Sequence, residues 1–209
     1  MTNPVPTAEN SRTPIPVSNL IPTKIVATVA PRPTTTHAPA TLAAPIGLYP
    51  IRYRVGLGIG YIERAAGTLK ELSPGFYLTW GLTRVKAENA NVEYMPMLRF
   101  FQGRPLKTLD TYIQFAQAHP GSLWLIGNEP DVVWQDNSTP EEYAAAYHAA
   151  YAALKTADPS SRIAIAGISQ PTPLRLQYLD RVLAAYQDQF GAAMPIDVWN
   201  VHNFILNEQ

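Results

Sequence analysis

The 209-residue sequence contains no cysteine, which excludes disulfides, thiolate metal sites and cysteine nucleophiles from this chain. It has no excess of either charge, because 16 Lys and Arg residues balance 16 Asp and Glu residues. No stretch is rich in Lys or Arg, so neither nucleic acid nor an anionic membrane is an expected partner. No apolar run approaches the roughly 18 residues that a membrane-spanning helix needs.

Cofactor-binding patterns are also scarce. None of the four histidines shows metal-ligand spacing, so we expect neither a metal nor another cofactor. The glycine run GLGIG at residues 56–60 does not match the dinucleotide pattern G-x-G-x-x-G, since the next residue is Tyr61. A nucleotide-dependent doubly wound enzyme is therefore a less favoured alternative.

Proline is concentrated at the start of the chain. Ten of the 20 prolines lie in the first 50 residues, and threonine is frequent there too, as in PRPTTTHAPAT at residues 31–41. This composition cannot hold a helix and buries little, so we predict a disordered linker at residues 1–45 and a folded domain at residues 46–209. Linkers of this kind often tether secreted enzymes, which predicts an extracellular or cell-surface location. The first residues do not resemble a signal peptide.

From about residue 46, apolar strand patterns alternate with helical patterns. The predicted strands are 52–60, 74–81, 92–100, 122–127, 161–169 and 195–204, and the predicted helices are 61–72, 83–90, 108–119, 139–158 and one that begins at 172. Such alternation predicts an α/β fold with a parallel sheet covered by helices. Six strands suit a doubly wound sheet, or about six of the eight units of a (β/α)8 barrel, which typically has ~250 residues.

The predicted helix at 139–158 has the clearest start. Thr139-Pro140-Glu141-Glu142 combines an N-cap, a proline at the first helical position and a capping-box glutamate. Thr108 is the expected cap of the preceding helix.

Polar or aromatic residues stand at the carboxyl ends of five of the predicted strands. These residues are Trp80, Arg99, Glu129, Gln170 and the pair His202-Asn203. Because functional groups of parallel α/β proteins cluster at the carboxyl ends of strands, we expect these side chains to share one face. Stacking aromatic rings and hydrogen-bonding groups on one face predict a sugar-binding cleft with a carbohydrate as partner. The plainer alternative is that each residue only shapes a turn.

A family resemblance supports the cleft. The run Gly127-Asn128-Glu129-Pro130 resembles the fourth-strand signature of clan A glycoside hydrolases, which are (β/α)8 barrels. FYLTWG, EYMPMLRF, IAIAGIS and DVWNVHNF are similar to the second, third, fifth and sixth strands of family 128-type β-1,3-glucanases, and families 39 and 53 share the signature. The resemblance covers residues 52–204. It implies a glycosidase that cleaves a β-linked polysaccharide by a retaining mechanism, which uses two carboxyl groups about 5–5.5 Å apart.

The resemblance also implies roles for individual residues. Glu129 matches the general acid/base, Asn128 matches the residue that binds the sugar 2-hydroxyl, and His202 matches the sixth-strand position that lines the cleft. Where relatives carry an aromatic pair after that histidine, this chain has Asn203-Phe204.

The second carboxylate is harder to place. Asp131 lies too close to Glu129 in the sequence to be the nucleophile, and we expect it to support the turn. In the clan the nucleophile is a glutamate at the end of the seventh strand, and this chain ends at Gln209, after the sixth predicted strand. We therefore expect a C-terminally truncated barrel without its nucleophile. A non-catalytic carbohydrate-binding or scaffold protein derived from the same barrel is the main alternative.

Overall fold

The structure is a computed structural model that describes residues 55–86 and 92–204. The predicted linker at residues 1–45 lies outside the described residues, and so does the start of the first predicted strand, residues 52–54. The domain boundary at residue 46 therefore stays a prediction.

Short strands and longer helices alternate through the described chain, which confirms the predicted α/β class. In chain order the elements are β1 (Gly56–Gly58), α1 (Ile62–Leu72), β2 (Phe76–Leu78), β3 (Glu93–Met95), β4 (Met97–Leu98), β5 (Phe100–Phe101), β6 (Arg104–Pro105), α2 (Leu109–Ala118), β7 (Leu123–Ile126), α3 (Pro140–Ala157), β8 (Arg162–Ile165) and α4 (Pro173–Phe190). None of these helices combines the length and the apolar character that crossing a membrane requires.

The main strands are parallel and pair in chain order. β2 lies between β1 and β3, and β7 lies between β4 and β8. A single parallel bridge from Ala164 to Val198 extends the second set by one segment. The described strands show no reversal of order of the kind that marks a doubly wound sheet, and they do not close into a barrel.

Three local predictions differ from the structure. The segment 195–204 is not a strand. Only Val198 makes a bridge, to Ala164 of β8, and no other described strand pairs with the segment. Residues 83–86 are not helical, and residues 87–90 lie outside the described chain. The predicted strand 92–100 is divided into β3, β4 and β5, with Pro96, which has no N–H to donate to a ladder, between the first two.

A hairpin that the sequence analysis does not predict joins β5 to β6. The two strands are antiparallel, and the residues between them, Gln102 and Gly103, have φ values of 50° and 71°. Two-residue hairpin turns favour positive φ at both positions because this twist matches that of the strands. Gly103 is also closely packed, since a Cβ there would lie 2.9 Å from the Cβ of Glu142.

The capping box of α3 is confirmed. The Glu142 N–H donates to the Thr139 hydroxyl at 3.2 Å, and the Thr139 N–H donates to the Glu142 carboxylate at 2.8 Å. Thr108 is the N-cap residue of α2, but its hydroxyl lies 3.0 Å from the hydroxyl of Thr111 and does not cap a backbone N–H.

Strand β7 is buried on both faces, as its continuous apolar sequence predicts. Trp124 and Ile126 belong to the large core cluster that includes side chains of α2, α3 and α4. Leu123 and Leu125 belong to a separate cluster with Met97. This alternation follows from the two-residue period of a strand, and it fixes the position at which residues 127–131 leave the sheet.

The hydroxyl of Tyr143, on α3, joins the carboxyl ends of β7 and β8. It donates to the Ile126 carbonyl at 2.7 Å and accepts from the Ala166 N–H at 2.8 Å. Burial raises the pKa of Tyr143 well above its ordinary value, so the hydroxyl keeps the proton that it donates. Tyr143 therefore links the two strand ends that precede Asn128-Glu129 and Gly167.

We expect Tyr143→Phe to lower the free energy of unfolding by about 1–3 kcal/mol, because it leaves a buried carbonyl and a buried N–H without this partner. Urea unfolding followed by circular dichroism measures the change. Tyr151→Phe is the matched control on the same helix, where the side chain is partly exposed, and we expect a change below about 0.5 kcal/mol. Equal losses in the two variants would contradict the bridging role of Tyr143.

Candidate active site

The chain turns sharply where β7 ends. Gly127 has a φ of 92° and Glu129 a φ of 46°, both in the left-handed region. This conformation costs a non-glycine residue roughly 1–2 kcal/mol, so the surrounding structure has to support it. The Glu129 N–H donates to the Gly167 carbonyl at 3.0 Å, and the Val132 N–H donates to the Glu129 carbonyl at 3.0 Å. The strained backbone thus lies at the residue for which the family resemblance implies the role of general acid/base.

Glu129 and His202 meet although 73 positions separate them in the sequence. Oε1 of Glu129 lies 2.8 Å from Nδ1 of His202, and the two side chains are 15% and 22% exposed. The backbone N–H of His202 donates to the Ile168 carbonyl at 3.3 Å. This bond ties the segment after Val198 to the end of β8, so that the histidine reaches the carboxylate.

Gly167 makes this approach possible. A Cβ at position 167 would lie 2.5 Å from Cδ2 and 2.6 Å from Nε2 of the His202 ring. It would also lie 3.2 Å from the side-chain nitrogen of Asn200. Since the Gly167 carbonyl accepts from Glu129, one glycine contacts both members of the carboxylate–imidazole pair.

A cavity of about 430 Å³ lies at the carboxyl ends of the strands. It is lined by Gly58, Leu78, Trp80, Met97, Leu125, Asn128, Glu129, Gln135, Asn200, His202 and Phe204. Its volume falls in the range of roughly 300–1,000 Å³ that is common for small-molecule sites. The wall combines two aromatic rings with a carboxyl group, an imidazole and three amides. That set of groups suits a ligand with one apolar face and many hydroxyl groups.

Trp80 forms part of this wall with the help of a glycine. Its backbone has a φ of 52°, and the residue is 43% exposed. A Cβ on Gly58 would lie 2.8 Å from the Trp80 ring, so the indole packs directly over the backbone of β1. The glycine run at residues 56–60 therefore has a packing role at this position.

A buried carboxylate supports Asn128 from behind. Asp136 is fully buried and forms an ion pair with Arg99. Its carboxylate also accepts from the backbone N–H of Asn128 at 2.7 Å and from that of Phe100 at 3.3 Å. Burial raises the pKa of Asp136, and the Asn128 N–H and the Arg99 guanidinium oppose the rise. Arg99 also donates to the side chain of Gln135 at 3.2 Å.

Asp131 supports the same turn from the other side. Its side chain is 2% exposed, accepts from the Ser169 N–H at 3.1 Å and from the Ser169 hydroxyl at 2.9 Å, and pairs with Arg175 at 3.1 Å. Arg175 also donates to the Asp131 carbonyl at 2.6 Å. Asp131 therefore links the turn to α4 and to the loop after β8, and it does not line the cavity.

The structure brings together four of the predicted site residues. Trp80, Asn128, Glu129 and His202 line the cavity, whereas Arg99, Gln170 and Asn203 do not contribute to the wall that the described residues form. The guanidinium of Arg99 is held by Asp136, and Asn203 is exposed. The predicted sugar contacts of Arg99, Gln170 and Asn203 stay predictions.

Three further residues belong to the site although the sequence analysis does not select them. Gln135 and Asn200 line the cavity, and Asp136 supports Asn128. Gln135 and Asp136 lie in the loop between β7 and α3, away from the strand ends, so their sequence positions do not indicate a role in the site. Asn200 lies only two positions before His202 in DVWNVHNF, and this proximity is a signal for its place in the site.

The described wall of the cavity contains a single carboxylate. Glu129 is the only Asp or Glu among its described lining residues. Within residues 55–86 and 92–204, no group of three or more His, Asp and Glu side chains has a geometry that could hold a metal ion. The chemistry that the described wall itself offers is therefore proton transfer at one carboxyl group that contacts an imidazole.

We expect Gly167→Ala to displace the His202 ring, because the added methyl group would lie within 2.6 Å of two ring atoms. The ring is partly exposed and can turn outwards, so we expect the contact with Glu129 to be lost while the protein stays folded. Histidine-selective ¹⁵N NMR measures the shift of the His202 ring resonances. Gly60→Ala is the control, because a Cβ there meets nothing within 4 Å. An unchanged His202 spectrum in Gly167→Ala would contradict the proposed close approach.

Several solved structures with a similar fold are family 128 β-1,3-glucanases. An endo-β-1,3-glucanase from Pseudomonas viridiflava superposes with a TM-score of 0.56 at 19% identity, over 73% of this chain and 61% of its own. A curdlan-specific exo-β-1,3-glucanase from Blastomyces gilchristii in complex with glucose gives 0.55 at 24%, over 72% and 61%. A variant endo-β-1,3-glucanase from Amycolatopsis mediterranei in complex with laminaripentaose gives 0.52 at 19%, over 70% and 56%.

These identities are low, so the likeness to the solved structures concerns the fold. The chain spans about three fifths of the length of the first two structures. No curated protein matches the chain. A family model described as the glycosyl hydrolase catalytic core matches residues 58–209, and together with these structures it confirms the resemblance to family 128-type enzymes. The chain belongs to the glycosyl hydrolase catalytic core family.

Proposed function

We propose that this protein is a glycosidase that hydrolyses a β-linked glucan, with Glu129 as its general acid/base. The observation that carries the proposal is the position of Glu129, held in a strained turn at the end of β7, in contact with His202 and on the wall of the cavity. Membership of the glycosyl hydrolase catalytic core family supports the reaction class. The β-1,3-glucanases of the same fold favour a β-1,3-linked substrate.

The proposed reaction proceeds by two displacements. Glu129 donates a proton to the leaving glycosidic oxygen while a second carboxylate attacks the anomeric carbon from about 5–5.5 Å away. Water then attacks the glycosyl–enzyme intermediate, and Glu129 takes up the proton of that water. Retention of configuration at the anomeric carbon is the stereochemical result.

The nucleophile is proposed to lie outside the described residues. Asp131 does not line the cavity, and its carboxylate is already bound by Ser169 and Arg175. Asp136 is fully buried behind Asn128, with no exposed surface to offer a sugar. Each of the two has a structural task, so neither competes with a carboxylate supplied by another part of the protein.

The remaining polar groups have complementary tasks. His202 holds the carboxyl group of Glu129 through one ring nitrogen and thereby orients it towards the leaving oxygen. Asn128 is placed to bind a sugar hydroxyl next to the reacting centre. Trp80 presents a partly exposed ring on which the apolar face of a sugar can stack.

We propose that the parallel strands are an arc of a (β/α)8 barrel. Their pairing in chain order, without a reversal, supports this architecture over a doubly wound sheet. The cavity lies at the carboxyl ends of the strands, where the active sites of such barrels are found. An extracellular or cell-surface location accords with a polysaccharide substrate and stays a proposal.

A non-catalytic carbohydrate-binding protein is the second candidate. The observation that favours it is the single carboxylate in the described wall of the cavity, since a retaining glycosidase needs two. Binding of a glucan without its hydrolysis would distinguish this candidate from the enzyme.

In a protein that includes the second carboxylate, we expect hydrolysis of laminari-oligosaccharides, and we expect Glu129→Gln to reduce the rate by about 10²–10⁴-fold, because the amide cannot transfer the proton. Release of reducing sugar from laminarihexaose measures hydrolysis, and titration calorimetry on the variant shows whether binding persists. Glu63→Gln, at an exposed position of α1, is the matched control and should leave the rate unchanged. Hydrolysis that survives in Glu129→Gln would refute the assignment, and binding without hydrolysis by the unmodified protein would favour the second candidate.

A further inference from the structure

A line of hydrogen bonds runs from Arg99 to the amide of Asn128. Nη2 of Arg99 donates to Oε1 of Gln135 at 3.2 Å, and Nδ2 of Asn128 donates to the same oxygen at 3.2 Å. Gln135 and Asn128 both line the cavity, and Asn128 is only 5% exposed. One amide oxygen thus connects the guanidinium of Arg99 to a residue that lines the cavity.

The direction of these bonds is determined by arginine. A guanidinium has only donors, so the atom of Gln135 that contacts Arg99 must be the oxygen. The atom of Asn128 that contacts this oxygen must be a donor, and it is therefore the NH₂ group. One N–H of this group is thus taken up by Gln135, and the orientation presents Oδ1 of Asn128, which is an acceptor, and the second N–H as the side-chain groups that a ligand can bind.

The backbone of Asn128 is held by Asp136, the residue that follows Gln135 in the loop before α3. Asp136 accepts from the Asn128 N–H at 2.7 Å and is itself paired with Arg99. Arg99 therefore fixes two consecutive loop residues, and each of these residues binds a different part of Asn128. Such double support restricts both the position and the rotation of the Asn128 carboxamide.

We propose that Gln135 is a positioning residue that sets the orientation of the Asn128 carboxamide, so that the cavity offers an acceptor at this point and selects a ligand hydroxyl that donates. The proposal rests on the proposed function for the identity of the ligand, a β-linked glucan. Gln135 acts through Asn128, and the same orientation exists whether or not the protein hydrolyses its ligand.

Two substitutions separate this role from simple space filling. Gln135→Glu keeps an oxygen that accepts from both Arg99 and Asn128, so it should preserve the orientation. Gln135→Met has a similar volume but cannot accept from a carboxamide in this way, so the Asn128 side chain should lose its fixed orientation. Gln114→Met, at an exposed position of α2, is the control for replacing a glutamine by methionine.

The first measurement is the ¹⁵N-edited NMR signal of the Asn128 side-chain NH₂ in the full chain. We expect Gln135→Met to shift this signal and to speed its exchange with water, while Gln135→Glu and Gln114→Met leave it protected. The second measurement is the affinity for laminaripentaose, determined with Glu129→Gln in every protein. We expect Gln135→Met to weaken it about tenfold, the effect of losing one hydrogen bond, and Gln135→Glu to change it by less than about threefold.

An Asn128 signal that stays the same in Gln135→Met would overturn the proposal. Equal disturbance of this signal in the Met and Glu variants would also overturn it, because a space-filling role predicts no rescue by an acceptor. If no variant binds laminaripentaose but the NMR pattern is as expected, the orientation of Asn128 is upheld and the proposed function fails instead.

Discussion

The geometry of the site depends on the hydrogen bonds and the ion pair of the buried Asp136 carboxylate. The carboxylate binds the backbone at the start of β5 and just after β7, and it holds the guanidinium of Arg99. A buried ion pair contributes little net stability, because the cost of removing both charges from water offsets their attraction. Its contribution here is geometric, since the backbone N–H of Asn128 cannot move without leaving a buried charge with fewer partners.

Backbone strain and glycine together shape the cavity around this anchor. Trp80 and Glu129 both have positive φ, and both follow the carboxyl end of a parallel strand. Gly58 lets the Trp80 ring lie on β1, and Gly167 lets His202 reach Glu129. Large side chains of the cavity wall thus pack closely against glycines of neighbouring segments, and the surrounding packed structure stabilises the strained turns.

The site unites elements that are far apart in the chain. The carboxylate comes from the end of β7, the imidazole from the segment after Val198, and the orienting amide from the loop before α3. Parallel strands that pair in chain order bring these pieces to a single edge of the sheet, because all of their carboxyl ends point the same way. The Glu129–His202 pair and the wall of the cavity are therefore assembled from short, separate segments.

Local signals in the sequence were sufficient for several features of this protein. The capping box at Thr139 determined where α3 begins, the apolar run of β7 determined a strand buried on both faces, and Asn128-Glu129 marked the end of that strand as a candidate site. Each of these depends on residues within a few positions of one another, so a pattern in the chain is enough to detect it.

The tertiary structure alone decided which distant residues meet. It paired Glu129 with His202 and Arg99 with Asp136, and it brought Gln135 beside Asn128. It also reduced the predicted strand at 195–204 to one bridge and added the hairpin of β5 and β6. These outcomes depend on which backbone and side-chain partners are within hydrogen-bond reach after the sheet has formed, and no spacing along the chain records that distance.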